Sequence, residues 1–475
     1  MTELRTGLNP FRGFKENKKQ LTIQRTVLFL SLSFLLMFQM PATSQTVRPS
    51  LTLGEALRYA LQNNPDLRKA NLDVRGGRFK TDEVRAGALP QINGSASLTD
   101  QLIKPQFVLP GEALGRPGEL ITMESGTTYS ASAGVSVSQQ IFNQQVFAGL
   151  KAARASESFY LLSAAVTEEN ILQQTATAYY QVLVSRQQLG VIDANIRSIQ
   201  QVEKTVADQL RSGLAKRIDL DRVRVNLTNL RTQREHLVNA VIQQENALKF
   251  VIGMPVHQKV HIPDAELTAV GEEVKSRLAD SVRSESRTEY RLLKKQEELL
   301  LLQKKAYESE YYPSLAFVGN YSYNGISNKF DFHKSSGTSF GYDMASVGLS
   351  LRIPVFNGGA TKARIKQASV DLLQIQEDLR GTSQRLNLEN ENAKLQIKNS
   401  LQTIQLQEEN VLLAEQVLSS TQNNYKNGLA SLTDLLDAET ARTTAQNSYS
   451  QALLKYKLAE IQIIKANGNI KSLLN

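Results

Sequence analysis

Apolar positions recur every seven residues after Gly359. Ile365, Leu372, Leu379, Leu386 and Ala393 form one series, the frame slips by four, and Ile397, Ile404, Val411, Leu418 and Tyr425 continue it. A heptad series is a coiled-coil seam, and a four-residue insertion locally unwinds the supercoil. A related stripe, Ile192, Ile196, Ile199, Val206 and Leu210, lies in the first half. These stripes predict two long helices, roughly 146–212 and 358–427. At 1.5 Å per residue each would span about 100 Å. Shorter helices are expected at roughly 52–87, 216–251, 275–311 and 431–467. Two short helices match one long helix in length. They would stack end to end as a composite column beside it, giving two columns per half and four in all.

Between helices the period changes from 3.6 to 2, which marks strands. Ile92, Ala96 and Leu98 alternate with Asn93, Ser95 and Ser97, and Tyr129–Val137 and Ile141 alternate with Ser130–Ser138 and Gln140. In the second half Leu315, Phe317, Tyr321 and Tyr323 alternate with Ser314, Asn320 and Ser322, and Val347–Val355 alternate with Ser346, Ser350 and Arg352. The four strands fall at about 91–99, 129–142, 314–323 and 343–356, each apolar on one face and small or polar on the other. Pro90 and Pro313 open two of them, a position where proline is tolerated. Residues 100–127, with three prolines, and 324–341, rich in Gly, Ser and Asn, read as surface loops.

The same module occurs twice. RSGLAKRIDL (Arg211–Leu220) returns as KNGLASLTDL (Lys426–Leu435), and IFNQQ (Ile141–Gln145) as VFNGG (Val355–Gly359). A unit of this length excludes a short-repeat solenoid and predicts two structural halves, 45–260 and 261–475.

Composition narrows the chemistry. The 475 residues include no Cys and no Trp, so disulfides, thiol chemistry and lipid attachment at a processed cysteine are excluded. His257 and His261 sit between Pro255 and Pro263, which argues against helical metal-ligand spacing. The formal charge is +9, but acids and bases are interspersed, as on solvated helix faces, and nucleic acid is not an expected partner. Val27–Met40 is an apolar run preceded by Lys15, Lys18, Lys19 and Arg25 and followed by Ala42-Thr43-Ser44. It is short for a membrane span and reads as a secretory signal occupying 1–44. There is no phosphate-binding glycine loop and no nucleophile with an evident base, so neither an enzyme nor a cofactor is expected.

Strands of 9–14 residues with one apolar and one Ser/Asn/Gln face suit a tilted membrane strand beside a polar lumen. Four strands cannot close a barrel, and open edges are intolerable in lipid, so several chains must pool them.

LTLGEALRYALQNNPDLRKA (Leu51–Ala70), Leu89-Pro90, and the Gly-Leu-Ala turns followed by Asp219 and Asp434 make the chain resemble the TolC family of outer-membrane efflux proteins over nearly its whole mature length. The resemblance implies a membrane α+β fold: a homotrimer whose four strands per chain form a twelve-stranded barrel, continued by an α-helical coiled-coil barrel in the periplasm. Residues 252–275 and the stretch after Asn467 would form a mixed belt around it. It further implies an exit duct conducting substrates from an inner-membrane transporter and a periplasmic adaptor to the exterior. Asp434 and Asp437 match the acids that ring the family's periplasmic aperture, whereas the first half has Asp219 and Arg222 there. The turns Gly213, Leu214, Ala215 and Gly428, Leu429, Ala430 would dock the adaptor. On the residues alone, an acid favouring a helix N-terminus explains Asp219, and Asp434 can be read the same way, but Asp437 three residues on shares its helix face and favours the aperture reading for that pair. A structural or adhesive coiled-coil surface protein, or the adaptor itself, are the alternative functions; the duplication and the amphipathic strands argue against the first, and the lack of a β-rich insertion against the second.

Overall fold

The computed structural model describes residues 51–263, 284–330 and 339–474. The expected signal segment 1–44 lies outside them. Leu51–Gln258 and Ile262–Asn475 form one compact unit.

Its N-terminal region is two helices rather than the single one expected at 52–87: α1 (Leu53–Asn63) and α2 (Pro65–Ala86). The cause is local. Pro65 has no N–H to donate and begins a helix readily. Asn64 Oδ1 accepts from the N–H groups of Asp66 (2.8 Å) and Leu67 (3.2 Å), capping the new helix. Thr52 and Glu55 close a reciprocal capping box at the start of α1. Then follow β1 (Gln91–Asp100), β2 (Gln106–Pro110), β3 (Leu120–Glu124), β4 (Tyr129–Phe142), the 68-residue α3 (Gln144–Arg211) and α4 (Arg217–Val251). The second half supplies α5 (Thr288–Glu308), β5 (Ser314–Ser327), β6 (Ser339–Arg352), the 67-residue α6 (Ala360–Lys426) and α7 (Leu432–Ala466).

Several boundaries differ from expectation. β2 and β3 pair as a small hairpin inside the segment read as loop. β5 runs on to Ser327, and β6 spans Ser339–Arg352 instead of 343–356, ending before Pro354. The helix expected at 275–311 starts at Thr288, with single 3-10 turns at Ser284–Ser286 and Ser309–Tyr311; residues 264–283 lie outside the described ones. The stretch after Asn467 is a 3-10 helix, Ile470–Leu474, packed on α1, α3 and α7.

The main sheet has the order β1-β4-β5-β6 and is antiparallel throughout. Its register keeps like faces together. Ile92 lies opposite Val137, Val135 opposite Tyr321, and Phe317 opposite Leu349. Asn93 faces Ser136, Ser132 faces Asn324, and Asn320 faces Ser346. The period-2 pattern therefore becomes one apolar and one polar sheet surface. Among the described residues β1 and β6 each have a neighbour on one side only, so each carries a row of unpaired backbone groups.

Four helical columns follow from the packing. α6 lies against α5 and α7, these two lie against α3, and α3 lies against α2 and α4. The short helices of a column meet end to end. Asn64 Nδ2, at the start of α2, donates to the Val251 carbonyl at the end of α4 (2.7 Å). Arg287 Nη1, at the start of α5, donates to the Ala466 carbonyl at the end of α7 (2.9 Å). Just beyond the ends of α4 and α7, Gly253 and Gly468 both have φ 74°, a left-handed helix end that glycine adopts freely. The heptad residues Leu379, Leu386, Ala393, Ile397, Ile404 and Leu418 of α6 are buried. So are Ile192, Ile196, Ile199 and Val206 of α3. No described helix is long and apolar enough to cross a membrane.

Candidate functional site: the paired hairpin turns

The α3–α4 and α6–α7 turns lie at the same end of the bundle. Ile199 and Val206 of α3, Leu220 and Val223 of α4, Leu418 of α6 and Leu432 and Leu435 of α7 share one apolar cluster. Tyr425 Oη donates to Gln209 Oε1 (3.1 Å) across the two hairpins.

The turns are built alike. Gly213 and Gly428 both have φ 75°. The next amide reaches back to close each helix end, Leu214 N to Gln209 O and Leu429 N to Asn424 O, both at 2.8 Å. Ala215 and Ala430 are half-buried beneath the tips. Leu214 and Leu429 point outward, 81% and 78% exposed. Two bare leucines on adjoining turns form a small apolar knob pair with no cover among the described residues.

The structure separates the two candidate acids. Asp434 is exposed, yet its Oδ2 accepts from the Ser431 N–H (2.8 Å) and hydroxyl (2.7 Å), while its own N–H donates to Ser431 Oγ (3.1 Å). These bonds, the side-chain one first, hold its carboxyl below the usual carboxylate range. Asp434 thus completes a capping box at the start of α7. Asp437, one turn on, is exposed and free of such a role. In the other hairpin Asp219 bonds the Lys216 N–H (3.3 Å) and lies 4.0 Å from Arg222. Arg217–Asp221 (3.2 Å), Arg224–Glu203 (3.0 Å) and Arg211–Asp208 also pair there. At the first tip Glu203, Asp208, Asp219 and Asp221 each lie against an arginine, whereas among the described residues Asp434 and Asp437 at the second do not.

Behind Asp437 lies a feature not foreseen. Glu439 of α7 is 1% exposed. Its carboxylate accepts from Ser198 Oγ of α3, from Gln422 Nε2 of α6 (3.3 Å) and from Arg442 Nη2 (3.3 Å). A polar cavity of 230 Å³ beside it is lined by Asn195, Asn226, Asn229, Gln233 and Thr443. The available signal was spacing: Glu439 follows Leu432 and Leu435 at the seven- and four-residue steps of the buried face. Among the described residues no cluster of three His, Cys, Asp or Glu could hold a metal ion.

The sequence matches the outer membrane efflux protein family over residues 56–254 and 294–469. Outer membrane protein TolC of Vibrio cholerae is 23% identical over 434 residues, covering 88% of this chain and 91% of that protein. The cation efflux system protein CusC of Escherichia coli O157:H7 is 22% identical over 424 residues, covering 86% and 84%. Among solved structures, the outer membrane protein VceC of Vibrio cholerae superposes with a TM-score of 0.69 at 17% identity, covering 88% of this chain and 96% of that one. The matched segments take in both hairpins, all of α3, α4 and α6, and the four strands of the main sheet: the chain belongs to the outer membrane efflux protein family.

Proposed function

We propose that three copies of this chain form an outer-membrane exit duct for a tripartite efflux or secretion system. The observation that carries this reading is the four-stranded antiparallel sheet, both of whose edges are unpaired among the described residues. Strands β1 and β6 run in opposite directions, so β6 of one copy can extend antiparallel onto β1 of the next, and the ring closes without an edge. Twelve strands tilted at about 40° enclose a barrel about 24 Å across, backbone to backbone. A 14-residue strand such as β6 then stands about 36 Å tall, enough for the apolar band of an outer-membrane barrel. The apolar sheet face would meet lipid, and the Ser/Asn face would line a water-filled lumen.

The outermost helical columns support the same assembly. α6 exposes Leu388 and Leu395, then Leu406 and Leu413; on the opposite flank α2 exposes Leu72 and Phe79, and α4 exposes Ile218 and Val225. Each pair is seven residues apart, the spacing of a coiled-coil seam still lacking its partner. Four columns from each of three copies would continue the barrel as a twelve-column helical tunnel, and the two halves of each chain would be structural repeats.

The hairpin end would be the periplasmic mouth. Leu214 and Leu429, raised on the turns Gly213–Ala215 and Gly428–Ala430, would dock the adaptor. Asp437 from each copy would ring the aperture, with the capping carboxylate of Asp434 beside it; such a ring favours cations. The duct itself would be passive, driven by the inner-membrane transporter.

Single-channel recording in planar bilayers tests the gate. The Asp434→Asn, Asp437→Asn double variant is expected to conduct with altered conductance and weaker cation preference, and most of the loss of preference should be reproduced by Asp437→Asn alone. Unchanged selectivity would remove both residues from the aperture.

A further inference from the structure

Far along the bundle from the hairpin turns, where the end of α7 meets the start of α5, lies a polar cavity of 390 Å³. Gln173 of α3, Arg287, Glu389 and Asn392 of α6, and Gln462 and Lys465 of α7 line it.

Its cations are incompletely satisfied. The Arg287 side chain is almost wholly buried. Its Nη1 is used by the Ala466 carbonyl and its Nη2 by Glu289 (3.0 Å), but its Nε–H has no acceptor among the described residues. Lys465 Nζ donates to two neutral oxygens, Asn170 Oδ1 (2.8 Å) and Gln173 Oε1 (2.7 Å). No described carboxylate is within ion-pair distance of it. Burial, the largest influence, pushes the Lys465 pKa down. A half-buried ammonium that donates only to neutral oxygens, with the Glu289, Glu389 and Glu169 carboxylates farther off, and a buried guanidinium with an idle donor are both incompletely satisfied, and one acceptor with negative charge would add to both. The α5 N-terminus adds to this, because Arg287 is its N-cap residue and gives it no side-chain cap.

We propose that this cavity is an oxyanion site, taking one carboxylate or phosphate group against Arg287 and Lys465. The Asn392 and Gln462 amides stand at its exposed rim as further donors. Glu389, exposed at the same rim, opposes a second negative charge, so the ligand is a single oxyanion group rather than a polyanion. Bound there, it ties α3, α6 and α7 to the joint with α5 and stiffens the middle of the helical columns. The site does not depend on the hairpin reading.

Thermal unfolding of the purified full-length protein in detergent tests this, with inorganic phosphate or acetate added against chloride at matched ionic strength. Wild type is expected to unfold at a higher temperature with phosphate, with acetate, or with both. Stabilisation by acetate would point to a carboxylate ligand, and stabilisation by phosphate alone to a phosphate. Gln462→Glu, an exposed rim change that spares the core, should weaken the apparent affinity for the anion at least tenfold. Lys465→Gln should do the same where it folds. No stabilisation by either anion, or equal stabilisation of wild type and Gln462→Glu, overturns the proposal.

Discussion

Replacing Glu439 with alanine should loosen the hairpin end far more than any exposed substitution there. Its carboxylate is the common acceptor for donors on α3, α6 and α7. Without it the Arg442 guanidinium, itself mostly buried, loses its counter-ion, and Ser198 and Gln422 lose a partner. Breaking a buried ion pair by removing one member costs about 3–5 kcal/mol. Arg442 retains some solvent contact, which places this case near the lower end, about 3 kcal/mol. Glu439→Gln keeps the shape and one acceptor oxygen and should cost roughly half as much. Replacing Glu439 and Arg442 together by leucine should recover most of the loss, since no charge is then stranded. Hydrogen exchange of the amides in the first four turns of α7 and the last three of α6 reads local opening directly. A loss of 3 kcal/mol corresponds to exchange on the order of a hundredfold faster. Acceleration of less than about threefold in Glu439→Ala, or a double variant worse than the single one, would refute the reasoning.

Further outcomes can be checked on the same material. Gly253→Ala combines a left-handed backbone with a new methyl group 2.5 Å from the Asn63 carbonyl, whereas Gly213→Ala has the same φ and open space. Both should lose about 1–2 kcal/mol to the left-handed conformation, and Gly253→Ala at least that much again to the clash, so equal falls in thermal midpoint would contradict the packing. Glu169 has its carboxyl pKa raised, chiefly by burial, against an opposing hydrogen bond from Thr288. A raised folded-state pKa contributes stability below the unfolded value, and that contribution is lost as pH rises through the folded one. Glu169→Gln should therefore raise the thermal midpoint at pH 7.5, with the gain fading towards pH 4; a gain that grows on acidification would reverse the assignment.

What the sequence disclosed depended on whether a feature was periodic. Heptads in α6 and alternation in β1, β4, β5 and β6 survive averaging over many residues, so those elements and their faces could be read. The turns at Gly213 and Gly428 were legible because glycine followed by a capping acid has a local cause. The break at Asn64-Pro65 is equally local, but the helical pattern continues on both sides and hid it. β2 and β3 are five residues each, flanked by prolines, and too short to establish a period. Phe340 and Tyr342 begin β6 on the polar face, opposite Ile326 and Asn324, which obscures the alternation there. Glu439 left one signal in the sequence, its spacing after Leu432 and Leu435, whereas Arg287 and Lys465 left none, because their importance comes from contacts between segments far apart in the chain. For the same reason Asp434 and Asp437 look equivalent in the sequence, and only the Ser431 hydrogen bonds distinguish them.

The absence of cysteine makes the central claim directly testable. Two versions of the chain, one with a single cysteine on β1 (Ala96→Cys) and one with a single cysteine on β6 (scanned over Val347, Leu349 and Leu351), are co-expressed, oxidised in the membrane and run without reductant. Pooled sheets predict cross-linked dimers that require both versions, from particles with the mass of three chains. Particles of one chain, together with a β1–β6 bond that forms only when both cysteines are in the same molecule, would mean that the sheet closes on itself and would contradict the account.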